Sequence, residues 1–367
     1  MIILDGKHGE GGGAMLRFAL ALSLITKKSF RMINIRSNRP KKGLKHEHLG
    51  AIKIMKELCN AKVTDAFLES EEITFIPGEI KKKNSILEYE FKTAASTILV
   101  CQSLLLASIF SEKNIRFKLI GGTDVKWSIP ADYFKNVLIP ILEEQGLKKI
   151  IFKINKRGYY PKGQGEVELI VNSRQTTTNI KKINLESRGE LLGFFGNINS
   201  SFELEKAKVC ERAKERAEQT INSFLNKKSF ETNQDVKSNN FRLNKDHEKI
   251  SCNINMSYSK TSSEGAIMTL WARFQNSIIG SDSLGEKGKK AELLGEEATN
   301  KLLEFINSKA VVDEYLADQL IPYLGICKGS IKTNKITNHL KSNIYVTQQF
   351  LDVLFEINEE KGTIKVD

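Results

Sequence analysis

The chain has 367 residues, of which 40% are hydrophobic and 27% charged, and a formal charge of +12. This composition fits a folded water-soluble protein too long for one simple core, since single cores seldom grow beyond about 250–300 residues. No apolar run approaches the roughly 20 residues of a membrane helix, and the five cysteines include no CxxC pair, which argues against a disulfide framework or a structural zinc site. The opening MIILDGKHGEGGG enters a strand directly and lacks the pattern of a signal peptide, so a cytoplasmic location is expected. The excess of positive charge suits a polyanionic partner.

In chain order, MIILDG reads as a strand, GAMLRFALALSLITKK as a helix, FRMINIRS as a strand and EHLGAIKIMKELC as a helix, followed by two strands, AKVTDAFLES and EEITFIPG. After the polar break KKKNS the βαβαββ order returns as ILEYEFK, ASTILVCQSLLLASIF, IRFKLIGG, ADYFKNVLIPILEEQG, KKIIFKINKRG and GEVELIVN. A third copy begins at IKKINLESRG and resumes much later with the helix VVDEYLADQLIPYLGI, the strand GSIKTN, the helix NIYVTQQFLD and the strands LFEIN and GTIKVD. The interruption carries the strands ELLGFFGNINSSF, KISCNINMSYS and GAIMTLWARFQN and the helices ELEKAKVCERAKERAEQTINSFL and KAELLGEEATNKLLEFINS, with a polar stretch at 226–249 read as an exposed loop. The expected architecture is α/β (α+β). Three βαβαββ units form a large domain over 1–184 and 310–367, and a small α/β domain is inserted at 185–309.

The unusual residues fall at equivalent places in the three units, in loops leaving strands and at the helix starts that follow, the edge where α/β folds bind ligands. The first such loop, HGEGGGAMLR, offers Glu10, three glycines and Arg17. Its amides suit a phosphate, and a flexible turn with an exposed acid is the plain alternative. It has neither the Walker ending nor GxGxxG spacing. The next, NIRSNRPKKGLKHEHLG, gathers Arg36, Arg39, Lys41, Lys42, Lys45, His46 and His48, which fits a phosphate site or a solvated basic turn. The second unit supplies Gln102 inside an apolar helix and GGTDVKWSIPADYF with Asp124, Trp127, Pro130 and Asp132. The third supplies Tyr315, Asp318 and Gln319 in DEYLADQL, then His339 in a turn before the last helix. The set lacks a serine nucleophile, a second base and a metal cluster. A neutral imidazole can itself attack phosphorus, giving a phosphoramidate and pyrophosphate.

The ordered motifs DGKHGEGGGAMLR, IRSNRPKKGLKHEHL, GGTDVKWSIPADYF, RGYYPKGQGEVEL, VDEYLADQLIPYL and NHLKSN resemble those of the RNA 3′-terminal phosphate cyclases along nearly the whole chain. The resemblance implies a fold akin to the repeats of enolpyruvyl transferases. It also implies a three-step reaction: the histidine takes AMP from ATP, passes it to an RNA 3′-phosphate, and the 2′-hydroxyl displaces AMP to leave a 2′,3′-cyclic phosphate. On this resemblance His339 is the adenylated nucleophile, Glu10 binds Mg2+ or Mn2+, and Arg17, Arg39 and His48 bind phosphate or RNA. Gln102, Pro130, Asp132, Tyr315, Asp318 and Gln319 line the ATP site.

This sequence departs from the family pattern in having Ala14 for the usual glutamine of EGGGQ, Glu47 where bacterial members often have glutamine, and Gln164 for a glycine. A eukaryotic branch of the family lacks the histidine and works in ribosomal RNA processing, so a non-catalytic assembly factor is the competing expectation. An enolpyruvyl-type transferase is a third. Whether two copies pair as a homodimer is left open.

Overall fold

The computed structural model describes residues 1–80, 86–172, 181–234 and 250–367. Strand β1 (Ile2–Asp5), helix α1 (Gly13–Thr26), strand β2 (Phe30–Ile33), helix α2 (His46–Cys59) and strands β3 (Lys62–Thr64) and β4 (Ile73–Ile76) build a sheet of order β1-β2-β4-β3. The next sheet comes from β5 (Leu87–Glu90), α3 (Thr97–Ile109), β6 (Ile115–Gly121), a helical segment, β7 (Ile150–Lys156) and β8 (Gly165–Val171), in the order β5-β6-β8-β7. Its helical segment joins α4 (Ala131–Tyr133) through a π turn (Phe134–Leu138) to α5 (Ile139–Glu144).

Strand β9 (Ile183–Leu185) begins another sheet but is followed by β10 (Leu191–Ser201), a 3-10 turn (Phe202–Ala207), α6 (Val209–Gln234), β11 (Ser251–Ser259), β12 (Ala266–Phe274), β13 (Ile278–Leu284) and α7 (Ala291–Asn307). Then come α8 (Glu314–Cys327), β14 (Gly329–Lys332), α9 (Asn338–Phe350), β15 (Glu356–Asn358) and β16 (Thr363–Val366). Strands β9, β14, β16 and β15 pair in that order, and β11-β10-β12-β13 form a separate sheet. In the sheets containing β1, β5 and β9 the first two strands are parallel, and the last in sequence pairs antiparallel between the second and third.

Hydrophobicity explains how these sheets meet. Helices α1 and α3 are apolar around their circumference, and such helices bury every face. They occupy the centre, where α1 packs on α3 and α9, and α3 also meets α2 and α8. A second core lies between the β11-β10-β12-β13 sheet and helices α6 and α7, drawing its residues from Leu191 to Ile306. Tyr315 packs against both cores.

The seam between them is polar and satisfied. Arg157 donates to Asp124 Oδ2 at 3.0 Å and Asp132 Oδ2 at 2.5 Å, while Asn197 of β10 donates to Asp132 Oδ1 at 2.9 Å. Tyr133 Oη donates to Asp313 Oδ1 at 2.6 Å, and the Gly280 amide to Asp313 Oδ2 at 2.9 Å. Burial acts to lower the Arg157 pKa, but attraction to Asp124 and Asp132 overturns this and raises it.

Three local expectations are corrected. Strand β13 was hidden because its inward positions are small and polar: Gly280 leaves room for Tyr133, and Ser281 bonds the Ala298 carbonyl at 2.7 Å. Helix α6 continues to Gln234, well into the stretch read as loop, because no glycine or proline interrupts 226–234; the rest of that stretch, like the KKKNS break, lies outside the described residues. Helix α9 starts five residues before the expected helix NIYVTQQFLD, which moves His339 from a turn into the first helical turn. Among the described residues no helix is long and apolar enough to cross a membrane.

Replacing Arg157 by Met should strand two buried carboxylates and cost about 3–5 kcal/mol in urea unfolding at pH 7. An unchanged unfolding midpoint would contradict this account of the seam.

Candidate active site

The N-terminal glycine loop and the start of α9 are locked together. Thr337 caps α9, accepting the Leu340 N–H at 2.9 Å and donating its hydroxyl to Asp318 Oδ1 at 2.7 Å. His339 follows in the first turn, with Nε2 2.8 Å from Glu10 Oε2. Arg39 holds the other Glu10 oxygen. One turn beyond His339, Ser342 Oγ accepts the Glu10 N–H at 3.2 Å, and the His8 ring stacks on Tyr345 at 3.9 Å. Gly9 has a φ of +58°, and a Cβ there would stand 2.3 Å from Ser342 Oγ. Only glycine lets the loop approach the helix this closely.

The glycine at the start of α1 serves a different neighbour, because a Cβ on Gly13 would lie 2.0 Å from His48 Nε2. His48 is buried, and its Nδ1 accepts the Lys45 N–H at 2.9 Å. Its neutral ring therefore carries the proton on Nε2, which has no partner among the described residues. Burial, and then Arg17, Arg36 and Lys45, hold His48 well below the usual histidine range.

Arg17 is buried without a carboxylate at ion-pair distance among the described residues. Burial lowers its guanidinium to about 10, a shift Arg36 reinforces and Glu47 opposes. Arg36 is itself half-buried in a left-handed conformation with φ 57°. Two guanidinium groups and an unpaired N–H leave this wall short of negative charge, the setting in which an oxyanion binds.

His339 lies within electrostatic reach of Glu10, Arg39 and Arg17. Burial lowers its pKa below 6.5; Glu10 opposes the shift, and Arg39 and Arg17 add to it. The ring is thus neutral at pH 7. Burial raises the Asp318 carboxyl to about 8 against the bond from Thr337, with Glu314, Glu10 and Asp313 adding to the rise. It therefore keeps its proton at neutral pH.

The remaining expected residues lie on α8, on α3 and at the start of the helical segment at 131–144. Tyr315 is half-buried with Lys301 Nζ 4.4 Å from its ring centroid, and Lys301 is 3.9 Å from Asp282. Gln319, half-buried, and Gln102, buried, have no side-chain hydrogen bond among the described residues, which leaves both amides available to a ligand. Pro130 caps the helical segment at 131–144. Asp132 does not cap it: its carboxylate is taken up by Arg157 and Asn197, and Asp124 accepts the Ala131 N–H instead at 3.2 Å. Gln164 adopts a φ of 61°, the backbone for which glycine is the usual residue.

Three residues that shape the site were not singled out from the sequence. Asp313 and Thr337 are helix caps, and an acid or hydroxyl just before an apolar-periodic run was the available signal. Ser342 had none, because its role depends on a loop more than 300 residues away.

The site thus joins a neutral histidine at a helix start to a carboxylate it shares with Arg39, with Arg17 buried nearby without an ion-pair partner among the described residues. The chain belongs to the RNA 3′-terminal phosphate cyclase family of enzymes, whose family model matches residues 8–357. It is 37% identical over 369 residues to the RNA 3′-terminal phosphate cyclase of Pyrococcus furiosus, covering 100% of this chain and 98% of the relative. The protein of the same name from Saccharolobus solfataricus is 37% identical over 361 residues, covering 98% and 97%.

By NMR, the His339 ring should titrate below pH 6.5, and Arg39→Met should move it upward, because a cation leaves and Glu10 is left to the imidazole. A midpoint that stays put in the variant would contradict the assigned cause. Asp318 gives a stability test. Its pKa is about 3.8 when unfolded and about 8 when folded, so wild-type stability should decline relative to Asp318→Asn between those values and run parallel above them. Parallel pH curves throughout would exclude a protonated Asp318.

Proposed function

We propose that the protein uses ATP to convert an RNA 3′-terminal phosphate into a 2′,3′-cyclic phosphodiester, through a histidine-AMP intermediate at His339. The observation that carries this reading is the His339 imidazole in the first turn of α9, kept neutral by burial and held 2.8 Å from Glu10. The unprotonated ring nitrogen attacks the α-phosphorus of ATP, an N–P bond forms, and pyrophosphate leaves. An oxygen of the RNA 3′-phosphate then attacks the same phosphorus and displaces the imidazole. Finally the neighbouring 2′-hydroxyl attacks the 3′-phosphate, and AMP leaves with the bonding electrons.

Arg17, Arg39 and His48 are the groups assigned to phosphate, and the unpaired His48 Nε2–H and buried Arg17 support this. Gln102, Pro130, Asp132, Tyr315, Asp318 and Gln319 are assigned to the ATP side. Asp132 is the weakest of these, since its carboxylate is already engaged. Glu10 suits Mg2+ or Mn2+, because magnesium typically takes one or two protein carboxylates together with substrate phosphates. No ready cage of three or more acidic, histidine or cysteine ligands occurs among the described residues. When bound, such an ion would offset charge on the nucleotide phosphates.

The same reading divides the chain into three βαβαββ units over 1–184 and 310–367 with an insert at 185–309. The shared strand order of three sheets and the separate core from Leu191 to Ile306 support it.

Incubation with α-labelled ATP and Mg2+ or Mn2+ should give an acid-labile, alkali-stable label on the wild type and none on His339→Ala. Cyclisation of a 3′-phosphorylated RNA should fall at least about a thousandfold in the variant, as expected for loss of a covalent nucleophile. A folded wild type that takes no label would favour an RNA-processing assembly factor.

A further inference from the structure

Trp127 is 87% exposed, more than any other large apolar side chain among the described residues. It also holds a left-handed φ of +68°, which a bulky side chain adopts only when its surroundings impose it. Those surroundings are tight. Ser128 Oγ is 2.7 Å from Ser96 Oγ and donates to the Ile129 carbonyl at 3.0 Å, while the Ala131 N–H reaches both the Thr123 carbonyl and Asp124 at 3.2 Å. The loop is pinned on both sides of an indole that stays in water. Neither the exposure nor the backbone helps the fold, so the position calls for a ligand.

Location narrows the choice. Trp127 stands on the rim of a cleft of about 330 Å3 that is also lined by Pro130, Asp282 and Lys301. Lys301 covers Tyr315, and Asp318 on the same helix holds the cap of the helix that carries His339. Through Lys301 the cleft borders α8, the helix that also bonds the cap of α9. Its charges are paired, with Lys126 3.2 Å from Glu286, Lys289 bonded to Glu297 and Lys301 beside Asp282. A balanced lining offers little to phosphate, and what the rim presents is a π-face with Lys126 Nζ 5.6 Å from its centroid. The adjoining loop presents Tyr160, 76% exposed, and is joined to the Trp127 loop where the Thr123 N–H meets the Gly158 carbonyl at 2.9 Å and the Gly158 N–H meets Thr123 Oγ1 at 3.0 Å.

We propose that Trp127 is a stacking platform for a base of single-stranded RNA near the 3′ end that enters this cleft, with Tyr160 a second ring along the same edge. The proposal rests on the cyclase reading for the identity of the strand. Stacking on an aromatic ring needs no sequence-specific hydrogen bond, so the platform would position an RNA end without selecting its sequence.

The test is quenching of tryptophan fluorescence in the full chain by a 3′-phosphorylated single-stranded oligonucleotide without ATP. Trp271, packed against the core, supplies a constant background. Trp127→Gly relieves the left-handed backbone and removes the ring, whereas Trp127→Phe keeps a ring. The wild type should be quenched, and RNA affinity, read in all three proteins from the anisotropy of a dye-labelled oligonucleotide, should fall about tenfold or more in Trp127→Gly while staying near wild type in Trp127→Phe. The ATP dependence of His339 labelling should be the same in all three. Equal RNA affinity in Trp127→Gly would overturn the proposal, as would a raised ATP requirement with unchanged RNA affinity, which would give the ring to adenine. A wild type that is quenched by RNA yet takes no label and makes no cyclic end would sink the cyclase reading and leave the platform standing.

Discussion

The carboxylate of Glu10 is the constraint on which the site depends. One oxygen meets His339 and the other meets Arg39, so a single side chain joins the loop after β1, the loop after β2 and the start of α9. Its backbone is fixed separately through Ser342, which means that the acid does not have to be positioned by the groups it serves. The arrangement also tempers a local excess of positive charge. With Arg39 and Arg17 close by, an imidazole without Glu10 would face two cations. Glu10 offsets part of that field and leaves the rest uncompensated.

The architecture puts these pieces in range through its central helices. Because α1 and α3 are apolar on every face, they bury themselves against α9 and α8, and the helix starts that carry Arg17 and His339 are brought side by side. Close approach then depends on missing side chains, since Gly9 makes room for Ser342 and Gly13 for His48. A methyl group at either position would collide with the site. The glycines of the first loop therefore do more than supply flexibility.

Much of this was legible in the sequence because its signals are local. Periodicity marked most strands and helices, including those flanking the long excursion between β9 and α8. Residues Glu10, Arg17, Arg39, His48 and His339 stood out as polar groups in loops or at helix starts, and four of them, together with Asp318, share one electrostatic neighbourhood. What could not be read depended on distant partners. Strand β13 is polar inside because Tyr133 fills the space above Gly280, and nothing within the strand announces that. Asp132 looked available until Arg157, from the end of β7, and Asn197, from β10, closed on it. The true start of α9 turned on Thr337, a single capping hydroxyl that periodicity does not register.

The bond between Glu10 and Ser342 spans 332 positions of sequence. During synthesis the glycine loop is made early and waits for its partner, at about 5–20 residues per second, for roughly 15 to 65 s. Until α9 emerges and docks, the nascent chain has Arg17 and Arg36 but not His339. Assembly of the site is thus deferred until the last described helix is in place, which couples it to completion of the fold.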